Sequence, residues 1–231
     1  MRAMPVGDDV MVEEHLRQLA GRLHGPRRLR ADLLTEARHG LLDAVEAYRD
    51  SGLPAGEASR RAVADFGTPE QLAPAYQAEL AMAALRRLAL WIVAFAGVAA
   101  LAGDLTWRGS SWSAGPPPPA GYLLLSRSVD VFWAVAFLVG AAGLVLAVAT
   151  ARSSGPRLAT AAHAMGILLT ATVVLGALAG AALFGWSIVL WDAALSWPPM
   201  IVGMLVVGAA YLWLGRIART WLLATRRLAA G

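Results

Sequence analysis

The stretch "AYQAELAMAALRRLALWIVAFAGV", residues 75–98, joins two kinds of sequence without a break. It contains no proline and no turn motif, its last charged residues are Arg86 and Arg87, and everything after them is apolar. A helix that begins in water is therefore predicted to run on into a membrane. We expect a soluble helical module to be attached to the bilayer by this helix and not by a flexible linker.

The chain as a whole has the composition of a membrane protein, and its long apolar stretches lie downstream of Arg87. Of its 231 residues 58% are hydrophobic, against roughly 45–50% in soluble domains. Four apolar stretches, residues 88–106, 129–150, 158–184 and 199–215, approach the roughly 20 residues that cross about 30 Å of hydrocarbon. We predict an all-α protein with a small cytosolic bundle of three to four helices over residues 1–87, followed by a four-helix transmembrane domain over 88–215.

The placement of arginine predicts which side of the membrane each loop faces. With a cytosolic N-terminus, eight membrane-flanking arginines lie inside and two, Arg108 and Arg127, lie outside, which is a clear positive-inside bias. The inner set is Arg86, Arg87, Arg152, Arg157, Arg216, Arg219, Arg226 and Arg227. Residues 1–25 carry too many charges for a signal peptide. We expect a multi-pass protein of the cytoplasmic membrane with both termini in the cytosol.

The net charge of +4 is divided unevenly along the chain. Residues 1–85 carry 10 arginines against 13 acidic residues, a net charge of −3, and residues 86–231 carry 10 arginines against three aspartates, a net charge of +7. A DNA-binding domain has a basic surface of its own. The acidic soluble part therefore argues against direct binding to nucleic acid.

Three amphipathic helices are predicted in the soluble part, over residues 9–23, 27–49 and 55–66, because apolar residues recur there every three or four positions. Gly25-Pro26 and Gly52-Leu53-Pro54 separate them. The predicted buried faces are Val12, Leu16, Leu19 and Leu23 in the first helix, Leu29, Leu33, Ala37, Leu41, Val45 and Tyr48 in the second, and Ala58, Ala62, Val63 and Phe66 in the third.

The boundary between the third helix and the next is marked by four residue types that agree with one another. Gly67 is expected to close the third helix in the left-handed conformation. Thr68 is then an N-cap, Pro69 the first helical residue, and Gln71 the partner of Thr68 in a capping box. Pro74 lies inside the following helix, where we expect a kink or a restart.

"VEEHLRQLAGRL" (residues 12–23), "EARHGLLDAVEAYRDSGLPAGEASRRAVADFGTPEQLAPAYQAEL" (residues 36–80) and Arg86-Arg87 resemble the helical domain known as the permease prefix or HAAS signalling domain. The resemblance covers residues 9–87. Members of that family are bacterial membrane proteins, often encoded beside a PadR-type helix-turn-helix repressor. The resemblance implies a signalling role through contact with such a cytosolic regulator.

The exposed side of the second helix is the candidate surface for that partner, with Glu36, His39, Asp43 and Glu46 as its residues. His39 stands where relatives often have an acidic residue, which changes the surface. A second departure from the family, Pro54-Ala55-Gly56 in place of a polar cap, is expected to weaken the start of the third helix.

No enzymatic, metal or cofactor site is predicted. The chain has no cysteine, and without lysine it has no phosphate-binding loop of the usual kind. His15, His24 and His39 lack metal-ligand spacing, so we expect them at surface or cap positions.

Three aspartates, Asp104, Asp130 and Asp192, fall near the predicted outer face of the membrane. We favour a structural role for them because water is within reach there, and because Asp130 lies close to a predicted helix start. An outer ion or ligand site is the alternative.

Gly176 and Gly180 form a small-residue motif in the third span, which indicates close helix packing either within one chain or between two copies in a homo-oligomer. Residues 216–231 are predicted to form a cytosolic amphipathic tail on the anionic inner leaflet.

Two functions are consistent with these patterns. The favoured one is a membrane-anchored signalling module whose acidic helical domain binds a cytosolic regulator. The alternative is an accessory or permease-like subunit of a transport system. The alternative is disfavoured because the spans show no row of polar residues and no inverted repeat.

Overall fold

The computed structural model describes residues 6–102, 117–152, 155–191 and 194–226, which form seven α-helices and no strand. The helices are α1 (Val6–Arg22), α2 (Arg27–Asp50), α3 (Ala55–Phe66), α4 (Pro69–Ala102), α5 (Ala120–Arg152), α6 (Pro156–Leu190) and α7 (Pro198–Arg226). The last four are long and apolar enough to cross a bilayer. The predicted all-α fold with four spans is confirmed, and the chain is a membrane protein.

The chain divides into two compact units. The N-terminal unit comprises Met1–Ala83 together with Thr220–Gly231, and the membrane unit comprises Ala84–Arg219. Two helices, α4 and α7, contain residues of both units. Each unit is described by itself below.

The N-terminal unit is built on the predicted apolar faces of α1, α2 and α3, which are confirmed. One buried cluster joins all three helices, with Leu41 and Val45 of α2 almost fully covered. A second cluster joins the end of α1 and the start of α2 to Leu80 of α4. Tyr76 of α4 packs against both clusters, so the first turns of α4 complete the bundle.

A side-chain capping box marks the start of α4. The backbone N–H of Thr68 donates to Gln71 Oε1 over 2.9 Å, and the N–H of Gln71 donates to Thr68 Oγ1 over 3.4 Å. Gly67 has φ 99° and ψ 160°, which is the extended positive-φ region and not the left-handed helical region that we expected. Pro54, the residue before α3, supplies no side-chain cap bond.

Three helices differ from what their sequences suggested. The helix α4 continues through Pro74, so there is no restart at that residue. The helix α7 continues to Arg226, so residues 216–226 extend the fourth span's helix and are not a separate tail element. The helix α5 begins at Ala120 and not near Val129, because Pro119 lies just before it and its carbonyl accepts from the Leu123 N–H.

Small residues bring the helices of the membrane unit together. Gly140 of α5 lies against Val93 of α4, where an added Cβ would come within 2.7 Å of a Val93 methyl carbon. Gly176 of α6 is covered by Tyr211 of α7 and Phe132 of α5, and Gly180 also faces Tyr211. The motif of Gly176 and Gly180 therefore packs within one chain. Small side chains let transmembrane backbones approach closely, since lipid tails supply no hydrophobic drive for association.

Candidate protein-binding site

The four predicted partner-binding residues are all exposed and lie along one side of α2. Glu36, His39, Asp43 and Glu46 follow one another at alternating spacings of three and four residues. At about 100° per residue they fall within a stripe roughly 80° wide, opposite the buried face of the helix. They are therefore available to a partner without any change in the bundle.

Two acidic residues that the predicted surface did not include, Asp32 and Asp50, extend the same stripe. Asp32 lies four residues before Glu36, and Asp50 four residues after Glu46, and both are exposed. The heptad-like spacing from residue 32 to residue 50 was the signal that pointed to them. At 1.5 Å per residue the stripe is about 27 Å long. We call Asp32, Glu36, His39, Asp43, Glu46 and Asp50 the acidic stripe.

The carboxylates of the acidic stripe differ from four other acids of the N-terminal unit, which are neutralised by arginine. Glu13 pairs with Arg38 at 2.6 Å, Asp65 pairs with Arg61 at 3.2 Å, and Glu14 and Glu70 pair with Arg17 and Arg22. In the part of the chain that the structure describes, no carboxylate of the stripe forms an ion pair. The stripe is thus a line of five exposed carboxylates without a direct ion pair.

The stripe borders α4 through Tyr76. Burial of the Tyr76 hydroxyl raises its pKa, and the negative charges of Glu36 and Glu79 raise it further. Tyr76 therefore stays neutral at physiological pH, and its ring anchors the first part of α4 against both core clusters.

A buried glutamine of α4 ties the end of α7 to the bundle. Gln77 is 3% exposed, and its Oε1 accepts from the His24 backbone N–H over 2.9 Å. Its Nε2 donates to the His24 carbonyl over 2.7 Å and to the Ala224 carbonyl over 3.0 Å. The last four carbonyls of a helix lack partners within it, so Gln77 caps the C-terminus of α7. We call Gln77, His24 and Ala224 the glutamine clasp.

The glutamine clasp corrects the prediction that residues after 215 lie on a lipid leaflet. Trp221 is only 2% exposed and Ala224 is fully buried, so protein covers them. The physical reason is that packing against protein buries the large apolar area of the indole, while Gln77 caps the same helix end. Residues 227–231 lie outside the described residues.

His15 is a second correction, because it is buried and not at a surface or cap position. Its ring meets Phe66 edge-on at 6.2 Å between centroids, and Nε2 has no hydrogen-bond partner. Burial lowers the pKa of His15, and the negative charge of Glu70 opposes that effect. His39 is exposed, and His24 Nδ1 lies 3.1 Å from the Arg22 carbonyl at the end of α1, as a cap residue would.

The remaining predicted site residues do not gather into a second site. Asp130 is exposed and lies inside α5, well past its first turn, so the helix-start explanation for it is wrong. Asp104 and Asp192 lie outside the described residues. The membrane-flanking arginines of the described segments are exposed, namely Arg86, Arg87, Arg152, Arg157, Arg216 and Arg219. Within those segments no three His, Asp or Glu side chains cluster closely enough to hold a metal ion.

No protein-family model, no curated protein and no solved structure matches this chain. What the chain does has to be inferred from the acidic stripe, the glutamine clasp and the membrane helices themselves.

Proposed function

We propose that this chain is a bacterial multi-pass protein of the cytoplasmic membrane whose N-terminal unit is a cytosolic signalling module of the permease prefix or HAAS type. In this proposal both termini are cytosolic, and the acidic stripe on α2 binds a cytosolic protein. The observation that carries it is the stripe itself, five exposed carboxylates without ion pairs in a unit whose other described acids are partly neutralised.

The chemistry of the stripe favours a basic protein partner. Complementary charge across an interface steers association and suppresses wrong partners, and the gain is larger when neither side already has a partner. A helix-turn-helix regulator of the PadR type has a basic surface for DNA. Contact with the acidic stripe would compete with DNA for such a surface, and the membrane protein itself need not bind nucleic acid.

Two helices are proposed to couple the membrane spans to the bundle that carries the acidic stripe. Both α4 and α7 contain residues of the membrane unit and of the N-terminal unit. Within the N-terminal unit, Tyr76 of α4 touches both core clusters, and the glutamine clasp holds the end of α7. A change in either span is therefore proposed to alter the bundle that presents the stripe.

The test is affinity purification of the full-length chain from native membranes with three proteins compared. One is unaltered, one carries Glu36→Lys, Asp43→Lys and Glu46→Lys, and one carries the same charge change at exposed acids off the stripe, Glu14→Lys, Glu57→Lys and Glu79→Lys. We expect a helix-turn-helix regulator to co-purify with the first and third and to be lost from the second.

The result that contradicts the proposal is equally definite. Recovery of the same proteins with all three baits would exclude the stripe as the binding surface. If those proteins were the subunits of a transporter, the function would lie in the spans, as the transport alternative requires.

A further inference from the structure

The membrane unit contains an apolar groove between α4 and α7 that none of the features above uses. Its volume is about 470 Å³, within the roughly 300–1,000 Å³ of small-molecule sites. The walls carry no polar surface. They are formed by Trp91, Phe95 and Val98 of α4 and by Ala210, Trp213 and Leu214 of α7.

One end of the groove is positively charged. The Arg87 guanidinium carbon lies 5.6 Å from the centre of the Trp213 ring, in cation–π geometry. The rings of Trp91 and Trp213 meet edge-on at 6.2 Å and close that end. Arg216 is exposed and lies three residues after Trp213, which makes the two residues neighbours on the surface of α7. One guanidinium group and two indoles thus stand at one mouth of an otherwise apolar groove, and a second arginine follows one turn further along α7.

The depth of the groove matches one leaflet of a bilayer. From Arg87 to Val98 there are eleven residues of α4, which at 1.5 Å per residue is about 16 Å. Half of a hydrocarbon core about 30 Å thick is about 15 Å. Indoles prefer the headgroup level, so Trp91 and Trp213 place the charged mouth at the membrane surface and Val98 near the midplane.

We propose that this groove holds one acyl chain of an anionic phospholipid, with the lipid phosphate on Arg87 and Arg216. Guanidinium groups bind phosphate with paired donors, and each basic residue at the surface favours an anionic lipid. A soluble metabolite is a poor fit because no wall of the groove offers it a hydrogen bond. The site does not depend on the acidic stripe or on any cytosolic partner.

The test is native mass spectrometry of the full-length chain, released from nanodiscs of equal parts phosphatidylglycerol and phosphatidylcholine with identical acyl chains. We expect one phosphatidylglycerol to stay bound in preference to phosphatidylcholine. Arg87→Gln should weaken that binding about fivefold. The matched control is Arg152→Gln, which removes an exposed membrane-flanking arginine from α5 and should leave the bound lipid unchanged.

A second pair of variants tests the groove itself. Ala210→Leu places a larger side chain in the groove, whereas Ala209→Leu changes the neighbouring exposed position on α7. Only Ala210→Leu should release the lipid, and circular dichroism should show equal helix content in both. Equal retention of the two lipids, or no effect of Arg87→Gln, would reduce the groove to ordinary contact with bulk lipid and overturn the proposal. A dimer that dissociates only in Ala210→Leu, with lipid content unchanged, would overturn it by showing a second copy in the groove.

Discussion

The N-terminal unit and the membrane unit differ in where they place large aliphatic side chains. In the N-terminal unit large aliphatic side chains are inside, with Leu41 fully buried and Val45 1% exposed. In the membrane unit Leu138 is 66% exposed and Val189 78% exposed, while Gly140 and Gly176 are buried. Water drives apolar side chains inward, whereas lipid does not. The same residue type therefore has different energetic weight in the two units.

The largest expected effect comes from removing a core leucine of the N-terminal unit. Leu41→Ala leaves a cavity in the cluster that joins α1, α2 and α3, and should destabilise that unit by about 2–5 kcal/mol. Leu138→Ala, on the exposed side of α5, should cost less than about 0.5 kcal/mol. Hydrogen exchange of the α1–α3 amides measures the first, and thermal unfolding in detergent measures the second. Equal effects would contradict the contrast between the units.

For glycine the larger effect is expected in the membrane unit, where small residues allow the helices to pack closely. In Gly176→Ala the added Cβ would come within 2.8 Å of a Phe132 ring carbon, which requires the packed helices to shift. The expected cost is about 1–3 kcal/mol. Gly185→Ala in the same helix meets nothing within 4 Å and is the matched control. Thermal unfolding of the spans should separate the two variants, and a stable Gly176→Ala protein would show that close approach is unimportant there.

Much of this architecture is predictable from local sequence. The three soluble helices and the four spans follow from apolar periodicity and length, and the capping box at the start of α4 follows from Thr68 and Gln71. The burial of His15 was also predictable, because it lies three residues after Val12 and next to Leu16 on the same apolar face. The place of Asp32 and Asp50 in the acidic stripe was predictable from their spacing.

The glutamine clasp is a different case. Gln77 looks like any polar residue of an amphipathic helix, and its partner Ala224 lies 147 residues away and contributes only a backbone carbonyl. An apolar stripe such as that of Trp221 is also equally suited to lipid and to protein. Whether lipid or protein covers this stripe depends on tertiary contacts, and such contacts leave no signal in the local sequence.

A smaller effect is expected at Gly67, whose backbone is suited to glycine alone. Its φ of 99° is strained for any other residue, and an added Cβ would come within 3.3 Å of Gln71 Oε1 in the capping box. Gly67→Ala should cost about 1–2 kcal/mol. Gly21→Ala lies in α1 with open space around it and should be neutral or slightly stabilising. Urea unfolding followed at the N-terminal unit decides between them.

The smallest effect expected is a pH dependence confined to the N-terminal unit. Burial lowers the pKa of His15 in the folded state below its ordinary value of 6.5, so the unfolded state binds a proton first as the pH falls. The contribution of neutral His15 to stability is complete above pH 6.5 and decreases as the pH is lowered through that value towards the folded pKa. Hydrogen exchange of the α1–α3 amides should therefore accelerate between pH 7.5 and pH 5.5, after correction for intrinsic rates.

Substitution locates this effect. His15→Leu keeps an apolar side chain against Phe66 and should remove the His15 part of the pH dependence. His39→Leu, at an exposed position of the acidic stripe, should retain it. If the two variants behaved alike, the buried imidazole would not be the cause, and the charge balance around Glu70 and Arg22 would be the next place to look. Because the spans of the membrane unit hold no comparable buried histidine in the described residues, their unfolding should not follow this pH profile.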